Sequence, residues 1–204
     1  MLNKKKKLII FDLDGVLINS LSNMEYSWNA VKKKYNLSAP FSKYKKFIGL
    51  PFDKILNQLN IYKNRKKIFR DYNYFSKKKI YRIKFYKNTK KVLRKLKKDY
   101  YLAICTSKNR ERTDIILSNM ISVFDMIITP ADVKKAKPHP EGINKIKKKF
   151  NISNKNIYFV GDSIFDKIAA QKARVNFLFA NWGYGKIAAK SKRLISIDQI
   201  FSHI

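Results

Sequence analysis

Cysteine is nearly absent from this sequence: Cys105 is the single one among 204 residues, so the chain cannot form an internal disulfide. Such cysteine usage is typical of a reducing compartment. A long apolar run is missing too, and a membrane span needs about 20 such residues. The apolar run Leu8 to Phe11, which follows a basic start, is shorter than the roughly 7–15 residues of a signal-peptide core. We expect a soluble, cytoplasmic protein with no membrane partner.

Acidic residues are scarce, because 14 Asp and Glu face 46 Lys and Arg, which gives a net charge of +32. Such a charge is typical of proteins that bind nucleic acid or membrane surfaces, or that attract anionic substrates. The chain is also rich in Lys, Ile, Asn, Tyr and Phe, the residues that an AT-rich genome supplies. The lysines are spread along the chain and form no recognisable nucleic-acid module. We favour the compositional explanation and expect no specific nucleic-acid partner.

Internal repeats and long linkers are also missing, and 45% hydrophobic residues suffice for a core. Residues 18–85 show helical patterns without a strand signal, whereas strands and helices alternate from residue 89 onward. This alternation predicts an α/β fold, a Rossmann-like parallel sheet with helices on both faces. We predict a core domain of residues 1–17 and 86–204, with an inserted all-helical cap domain at residues 18–85. Hinges are expected near residues 16–20 and 82–87.

The spacing of apolar residues gives approximate bounds for the elements. Helices are predicted at residues 21–35, 41–48, 52–59, 64–81, 89–98, 111–120, 141–150 and 165–173. Strands are predicted at residues 8–14, 100–105, 124–129, 157–160 and 175–180, and a short closing helix at 197–201. Ser20 precedes the first helix and is a possible N-cap.

The first strand runs directly into Asp12, Asp14 and Gly15. Unpaired carboxylates at the mouth of a buried strand are costly unless a cation or phosphoryl chemistry requires them. The glycine permits a sharp turn just past the strand end. An EF-hand is excluded, because Asn23 stands where the loop's terminal Glu would be. We interpret the two aspartates as the reactive centre.

Polar residues also follow the later strands: Thr106 and Ser107, then a loop with Lys137, then Asp162 with Asp166 one helical turn on. Each has an ordinary explanation on its own, such as a helix cap or a solvated lysine. In an open parallel sheet, however, ligands bind beyond the carboxyl ends of the strands. The convergence of these groups on one edge therefore predicts a functional site.

These motifs, in this order, resemble those of the haloacid dehalogenase superfamily, specifically its phosphatases with a helical cap after the first motif, such as phosphoglycolate-phosphatase-like enzymes. The resemblance covers the whole chain, and the turn at residues 48–51 is similar to one in their caps. The four motifs are Asp12-Leu-Asp14-Gly-Val, Thr106-Ser107, Lys137-Pro-His-Pro-Glu and Gly161-Asp162-Ser-Ile-Phe-Asp166.

The resemblance implies catalytic roles for Asp12, Asp14 and Lys137. Asp12 would attack phosphorus and form an aspartyl-phosphate, and Asp14 would act as general acid and then general base. Lys137 would neutralise charge. Mg²⁺ would be held by Asp12, the backbone carbonyl of Asp14 and Asp162, and Asp166 would complete this acidic metal site by orienting Lys137 or a metal-bound water.

The resemblance also implies a substrate-binding group. Thr106 and the Ser107 amide would bind phosphate oxygens at a helix N-terminus, and Lys108 would add positive potential. Gly49 in the cap would contact the substrate. Specificity is expected in the cap around residues 48–52, whereas Tyr26 and Trp28 are interpreted as core residues.

Three functions remain open. The first is a Mg²⁺-dependent phosphatase acting on a small phosphorylated metabolite. Asp14 favours phosphoester chemistry over the dehalogenases and phosphonatases of similar fold, which lack an acid there because they protonate no alkoxide leaving group. The second is a phosphosugar mutase of the β-phosphoglucomutase type, whose cap must bind a second phosphate; cap lysines such as Lys43, Lys45 and Lys46 are too plentiful to be diagnostic. The third, motivated by the charge alone, is a non-enzymatic protein associated with nucleic acid.

Overall fold

A computed structural model describes residues 7–186 and 191–204 of the chain. Its strands are β1 (Leu8–Phe11), β2 (Ile18–Asn19), β3 (Lys84–Phe85), β4 (Tyr101–Cys105), β5 (Met126–Ile128), β6 (Ile157–Gly161), β7 (Asn176–Ala180) and β8 (Lys192–Leu194). Six of them form one sheet in the order β5-β4-β1-β6-β7-β8. All five pairings in this sheet are parallel. The predicted fold class is confirmed.

The α-helices are α1 (Leu21–Lys34), α2 (Phe41–Lys45), α3 (Phe52–Gln58), α4 (Arg65–Lys78), α5 (Thr89–Asp99), α6 (Arg110–Leu117), α7 (Glu141–Phe150) and α8 (Ile164–Ala173). The closing segment Ile197–Ser202 is a 3₁₀ helix. Every predicted helix is present, with ends that differ by a few residues. In the part of the chain that the structure describes, no helix has both the length and the apolar character of a membrane span.

Strand β1 is the centre of the molecule, with β4 on one side and β6 on the other. Its four residues are completely buried, because hydrophobic clusters cover both faces of the sheet. A strand buried on both faces needs a continuous apolar run, which Leu-Ile-Ile-Phe supplies. The parallel register brings the carboxyl ends of β1, β4 and β6 to one edge, where the polar motifs begin.

Helices α1 to α4 pack around a separate hydrophobic cluster that contains Trp28, Tyr44 and Tyr72. Trp28 is fully buried and its Nε1 donates to the Ala39 carbonyl at 3.0 Å, which confirms it as a core residue. Tyr26 is only partly buried, with its ring edge-on to Phe75. We call α1 to α4 the helical unit. Its separate cluster supports the predicted division into cap and core, which stays a prediction; residues 1–6 and 187–190 of the predicted core lie outside the described residues.

The expectation of an all-helical segment at residues 18–85 is wrong at both of its ends. Ile18 pairs with Phe85 and Asn19 with Lys84 in an antiparallel two-stranded sheet. Two residues are too few to show the alternation that marks a strand. Strand β8 was not predicted either, because it is short and begins with two basic residues, as edge strands often do. The two short strands β2 and β3 lie within the predicted hinge ranges.

Candidate active site

Asp12 is the first residue after β1, and its amide still donates to the Val160 carbonyl at 2.9 Å. The carboxylate is buried, and its Oδ1 lies 2.8 Å from Lys137 Nζ. Lys137 Nζ also lies 2.7 Å from Asp166 Oδ1. The buried ammonium of Lys137 therefore bridges the carboxylates of Asp12 and Asp166, which are far apart in the sequence.

The charged groups of this cluster shift one another's pKa values. Burial raises the pKa of Asp12 to about 7, although Lys137 opposes the shift. Burial disfavours the ammonium of Lys137, but Asp12 and Asp166 outweigh that effect and raise its pKa above the ordinary value. Burial and the repulsion of Asp166 and Asp12 raise the pKa of Asp162 well above its ordinary range. Lys137 thus stays charged, while the carboxylates lack full compensation.

Asp14 is held by two groups on the same oxygen. The Ser20 hydroxyl donates to Asp14 Oδ1 at 2.5 Å, and Lys108 Nζ lies 3.1 Å from it. Ser20 is the N-cap residue of α1, as predicted, but its side chain makes no capping hydrogen bond, because its hydroxyl donates to the Asp14 carboxylate instead. Burial lowers the pKa of Lys108 to about 8, against the opposing attraction of Asp14.

The backbone of residues 183–185 lies against Asp162, a contact that the sequence did not lead us to expect. The Tyr184 amide donates to Asp162 Oδ2 at 2.6 Å. The Tyr184 hydroxyl accepts from the amide of Ser20, the residue after β2, at 2.6 Å, so Tyr184 joins Asp162 to the end of that strand. A usable signal was present, because Gly183-Tyr184-Gly185 follows the carboxyl end of β7 as the other motifs follow their strands.

Asp166 has partners on both carboxylate oxygens. Lys137 contacts Oδ1, and the Ser163 amide and hydroxyl donate to Oδ2 at 3.0 and 2.6 Å. Ser163 and Asp166 thereby form a capping box at the start of α8. These contacts favour a role in orienting Lys137 over direct ligation of a metal.

Thr106, Ser107 and Lys108 form the loop after β4. Thr106 Oγ1 accepts the Lys108 amide at 3.1 Å, which leaves the Thr106 hydroxyl hydrogen able to donate elsewhere. The Ser107 hydroxyl donates to the Gly49 carbonyl at 2.6 Å, a direct bond between the core and the helical unit. Helix α6 begins at Arg110, one residue before the predicted start, with Asn109 as its N-cap residue. Thr106 and Ser107 therefore lie in the loop before this helix and not at its N-terminus, where the resemblance places them.

A cavity of about 40 Å³ lies where the helical unit meets the core. The core side of the cavity contributes Asp12, Asp14, Thr106, Ser107, Lys108 and Arg112. The opposite wall is largely apolar and aromatic, with Gly49, Phe52, Tyr44 and Tyr72 among its residues. The predicted catalytic and phosphate-binding groups Asp12, Asp14 and Thr106 thus line one small cavity, while Lys137, Asp162 and Asp166 do not line it.

The acidic cluster fits a divalent metal ion. Asp12, Asp162 and Asp166 are all buried and can each place one oxygen within 4.8 Å of the others. Together with Asp14 they make four buried carboxylates, against three buried cations in the same site, Lys137, Lys108 and Arg112. Positive charge is therefore still lacking beside the acidic cluster. All the donors are oxygen atoms, which suits a hard ion such as Mg²⁺.

Solved structures share this arrangement of elements. A hydrolase from Pseudomonas syringae superposes with a TM-score of 0.86 at 21% identity, covering 97% of this chain and 97% of that one. A predicted phosphoglycolate phosphatase from Haemophilus somnus 129pt superposes with a TM-score of 0.82 at 26% identity, covering 98% and 99% of the two chains. The fold is therefore one that hydrolases use.

Sequence comparison gives the family. Residues 9–180 match the model of the haloacid dehalogenase-like hydrolases, and the chain belongs to that family. It is 28% identical over 181 residues to the pyrophosphatase PpaX of Oceanobacillus iheyensis, covering 86% of this chain and 84% of the relative. It is also 28% identical over 203 residues to a phosphoglycolate phosphatase of Haemophilus influenzae, covering 90% and 89%. The predicted family and its hydrolase class are confirmed.

Proposed function

We propose that this protein is a cytoplasmic, Mg²⁺-dependent phosphatase that hydrolyses a small phosphorylated metabolite through an aspartyl-phosphate. One observation carries the proposal: Asp12 and Asp14 line the same cavity, and Lys137 is paired to Asp12. This arrangement supports Asp12 as a nucleophile and Asp14 as a proton donor that act on the same phosphate ester. The two relatives are named a pyrophosphatase and a phosphoglycolate phosphatase, and both names support a small phosphorylated substrate.

The reaction divides into two proton transfers and two displacements. Asp12 attacks phosphorus while the bond to the leaving oxygen breaks, and Asp14 protonates that oxygen. Asp14 then takes a proton from a water molecule, whose oxygen attacks phosphorus and releases Asp12. Both observed contacts of Asp14 are made on Oδ1, so we assign the proton to Oδ2.

The remaining residues of the site bind the phosphate group and neutralise the negative charge around it. The Thr106 hydroxyl and the Ser107 amide hold phosphate oxygens, and Lys137 offsets the charge of Asp12. Asp12, Asp162 and the Asp14 carbonyl would hold Mg²⁺, which when bound draws negative charge from the phosphate oxygens. Asp166 keeps Lys137 in place, and the backbone of Gly49 closes the cavity from the helical unit.

We propose further that residues 18–85 act as a cap that excludes water during transfer. The Ser107–Gly49 hydrogen bond supports a closed arrangement, since it joins the two parts directly over the site. The antiparallel pair β2–β3 holds both connections together, which suits a hinge.

The cavity gives the phosphosugar mutase less support. A mutase needs cations from the cap for a second phosphate, but Lys43, Lys45 and Lys46 line other clefts. Among the described residues, the helical unit contributes no cation to the active-site cavity. The nucleic-acid alternative keeps only the net charge in its favour.

The proposal is tested by measuring phosphate release from a panel of phosphorylated metabolites with and without Mg²⁺. Wild-type protein should release phosphate from at least one of them only when the metal is present. Asp12→Asn should abolish turnover while circular dichroism shows an intact fold, because the amide oxygen is a poor nucleophile. Wild-type activity in this variant would rule out Asp12 as the nucleophile.

A further inference from the structure

Arg112 is a buried cation that the proposed chemistry does not use. It lies on α6, is 6% exposed and lines the active-site cavity together with Asp14 and Lys108. Burying a guanidinium is costly unless a carboxylate or another anion compensates its charge. The partners of Arg112 therefore indicate whether its charge serves the fold or a ligand.

The partners of Arg112 are all neutral. Its Nε donates to Asn109 Oδ1 at 2.9 Å and its Nη1 donates to Ser76 Oγ at 2.9 Å. Its guanidinium carbon lies 5.4 Å from the centre of the Tyr72 ring. Among residues 7–186 and 191–204, the ion pairs include none for Arg112. Asp14, the acid on the same cavity wall, is already held by Lys108.

Arg110, two residues earlier on the same helix, shows the opposite case. It is half-buried, yet it lies 2.8 Å from Asp132 Oδ2 and donates to the Ile127 carbonyl. The chain thus places a carboxylate against the more exposed arginine and none against the buried one. A structural explanation by charge pairing accounts for Arg110 but not for Arg112.

We propose that Arg112 binds a second anionic group, carried by the leaving group of the substrate. The proposal rests on the proposed phosphatase function and names its substrate class: a phosphate ester or anhydride whose leaving group bears a carboxylate or a phosphate. The planar guanidinium fork matches both groups.

The helical unit completes this subsite. Ser76 on α4 accepts the hydrogen bond from Arg112, and Tyr72 on the same helix lies against its guanidinium. The Tyr44 hydroxyl donates to the Tyr72 hydroxyl at 3.2 Å on the same wall of the cavity. The second anion is therefore recognised where the core and the helical unit meet.

The test compares three substrates in the wild type and in Arg112→Met. 2-Phosphoglycolate and pyrophosphate carry a second anion, whereas ethyl phosphate has a neutral leaving group of similar size. We expect the substitution to lower kcat/KM about 100-fold for one or both anionic substrates and by less than about threefold for ethyl phosphate. A loss confined to 2-phosphoglycolate identifies a carboxylate, and a loss confined to pyrophosphate identifies a phosphate.

Arg110→Met is the matched control, because Arg110 lies on the same helix but pairs with Asp132 and does not line the active-site cavity. It should change kcat/KM equally for all three substrates. Arg112→Lys retains the charge without the fork and should lose less than Arg112→Met on the same substrates. If Arg112→Met does not fold, as judged by circular dichroism, the lysine variant carries the comparison.

Two results would overturn the inference. Equal losses on all three substrates would show that Arg112 only fastens the helical unit, and an unchanged kcat/KM would show that it binds no substrate group. Both outcomes leave the phosphatase proposal standing. Absence of phosphate release by the wild type from any of the three substrates and from the wider metabolite panel would instead refute the phosphatase function, and the inference with it.

Discussion

Two glycines allow the backbone to approach the Asp162 carboxylate more closely than other residues permit. Gly15 has φ +81, and a Cβ built on it would lie 2.1 Å from Asp162 Oδ2. A Cβ on Gly183 would lie 2.3 Å from Asp162 Cβ. Gly15 thus serves as more than the turn that the sequence predicted, since its missing side chain makes room for a proposed metal ligand.

Gly15→Ala should therefore displace the Asp162 carboxylate. We expect phosphate release to fall about 100-fold or more, since a shift of about 1 Å in a reacting site can cost that much. The thermal stabilisation of the protein by added Mg²⁺ should shrink as well, because a ligand that binds only the folded state raises its stability. Both are measured on the same sample, by phosphate assay and by a thermal melt with and without the metal.

Asn36→Ala is the control for backbone strain alone. Asn36 also has a positive φ, of 49, but it is exposed and does not line the active-site cavity. Its substitution should cost about 1 kcal/mol of stability and leave activity unchanged. A Gly15→Ala variant that keeps full activity would contradict the proposal that Gly15 makes room for the Asp162 carboxylate.

The residues that the sequence could indicate are those at strand ends. Asp12, Thr106 and Asp162 each follow an apolar run, so the rule for parallel sheets places them at one edge. Arg112 carries no such signal, because it lies inside a helix among other charged residues. Arg112 is covered by Ser76 and Tyr72, which lie on a separate helix, α4. Its burial therefore depends on tertiary packing that no local sequence pattern shows.

Helices α1 and α4 are joined by a cluster of charges around Asp71. The Lys34 ammonium lies 2.5 Å from Asp71 Oδ2, the Tyr35 hydroxyl donates to the same oxygen, and Arg70 contacts Oδ1. The hydrogen bond from Lys34 is the largest cause that lowers the pKa of Asp71 to about 2. The cluster therefore favours the ionised carboxylate in the folded state.

Asp71→Asn should destabilise the protein in a pH-dependent way. A folded pKa below the ordinary 3.8 contributes stability that is present above about pH 4 and is lost as the pH falls toward 2. At pH 7 we expect a loss of about 1 kcal/mol in the free energy of unfolding, since the exposed partners are screened by solvent. Urea unfolding of both proteins at pH 7, 4 and 3 measures the difference.

Glu25→Gln is the matched control, because Glu25 is an exposed acid on α1 that makes no ion pair among the described residues. Its effect should stay small at every pH. A difference between wild type and Asp71→Asn that persists unchanged at pH 3 would show that packing, and not the charge cluster, sets the stability of this helix pair.

The helices and the central strands were predictable, whereas the shortest strands were not. The apolar stripe of α5 extends over enough residues to show its period, and the four residues of β1 stand out as a continuous apolar run. Strands β2 and β3 have two residues each and are defined only by pairing with each other. Because that pairing joins distant parts of the chain, no local pattern could indicate it.

The charge of the whole molecule is strongly one-sided. Four of the 14 acidic residues are buried in the site: Asp12, Asp14, Asp162 and Asp166. Lysines dominate the charge of the surface. Three of them, Lys45, Lys46 and Lys186, line a cleft of about 380 Å³ that is also lined by Asp162. An anionic substrate therefore approaches through a positive field, whatever the origin of the composition.

This field predicts a dependence on salt. Raising the ionic strength from 0.01 to 0.15 M shortens the screening length from about 30 to about 8 Å, so kcat/KM should fall severalfold while kcat, measured at saturation, changes little. Pyrophosphate should show a steeper decline than ethyl phosphate, which serves as the control because it carries less charge. Both constants are measured by phosphate release at fixed Mg²⁺ activity. Equal slopes for the two substrates would mean that the excess of lysine does not steer them, and composition alone would then explain it.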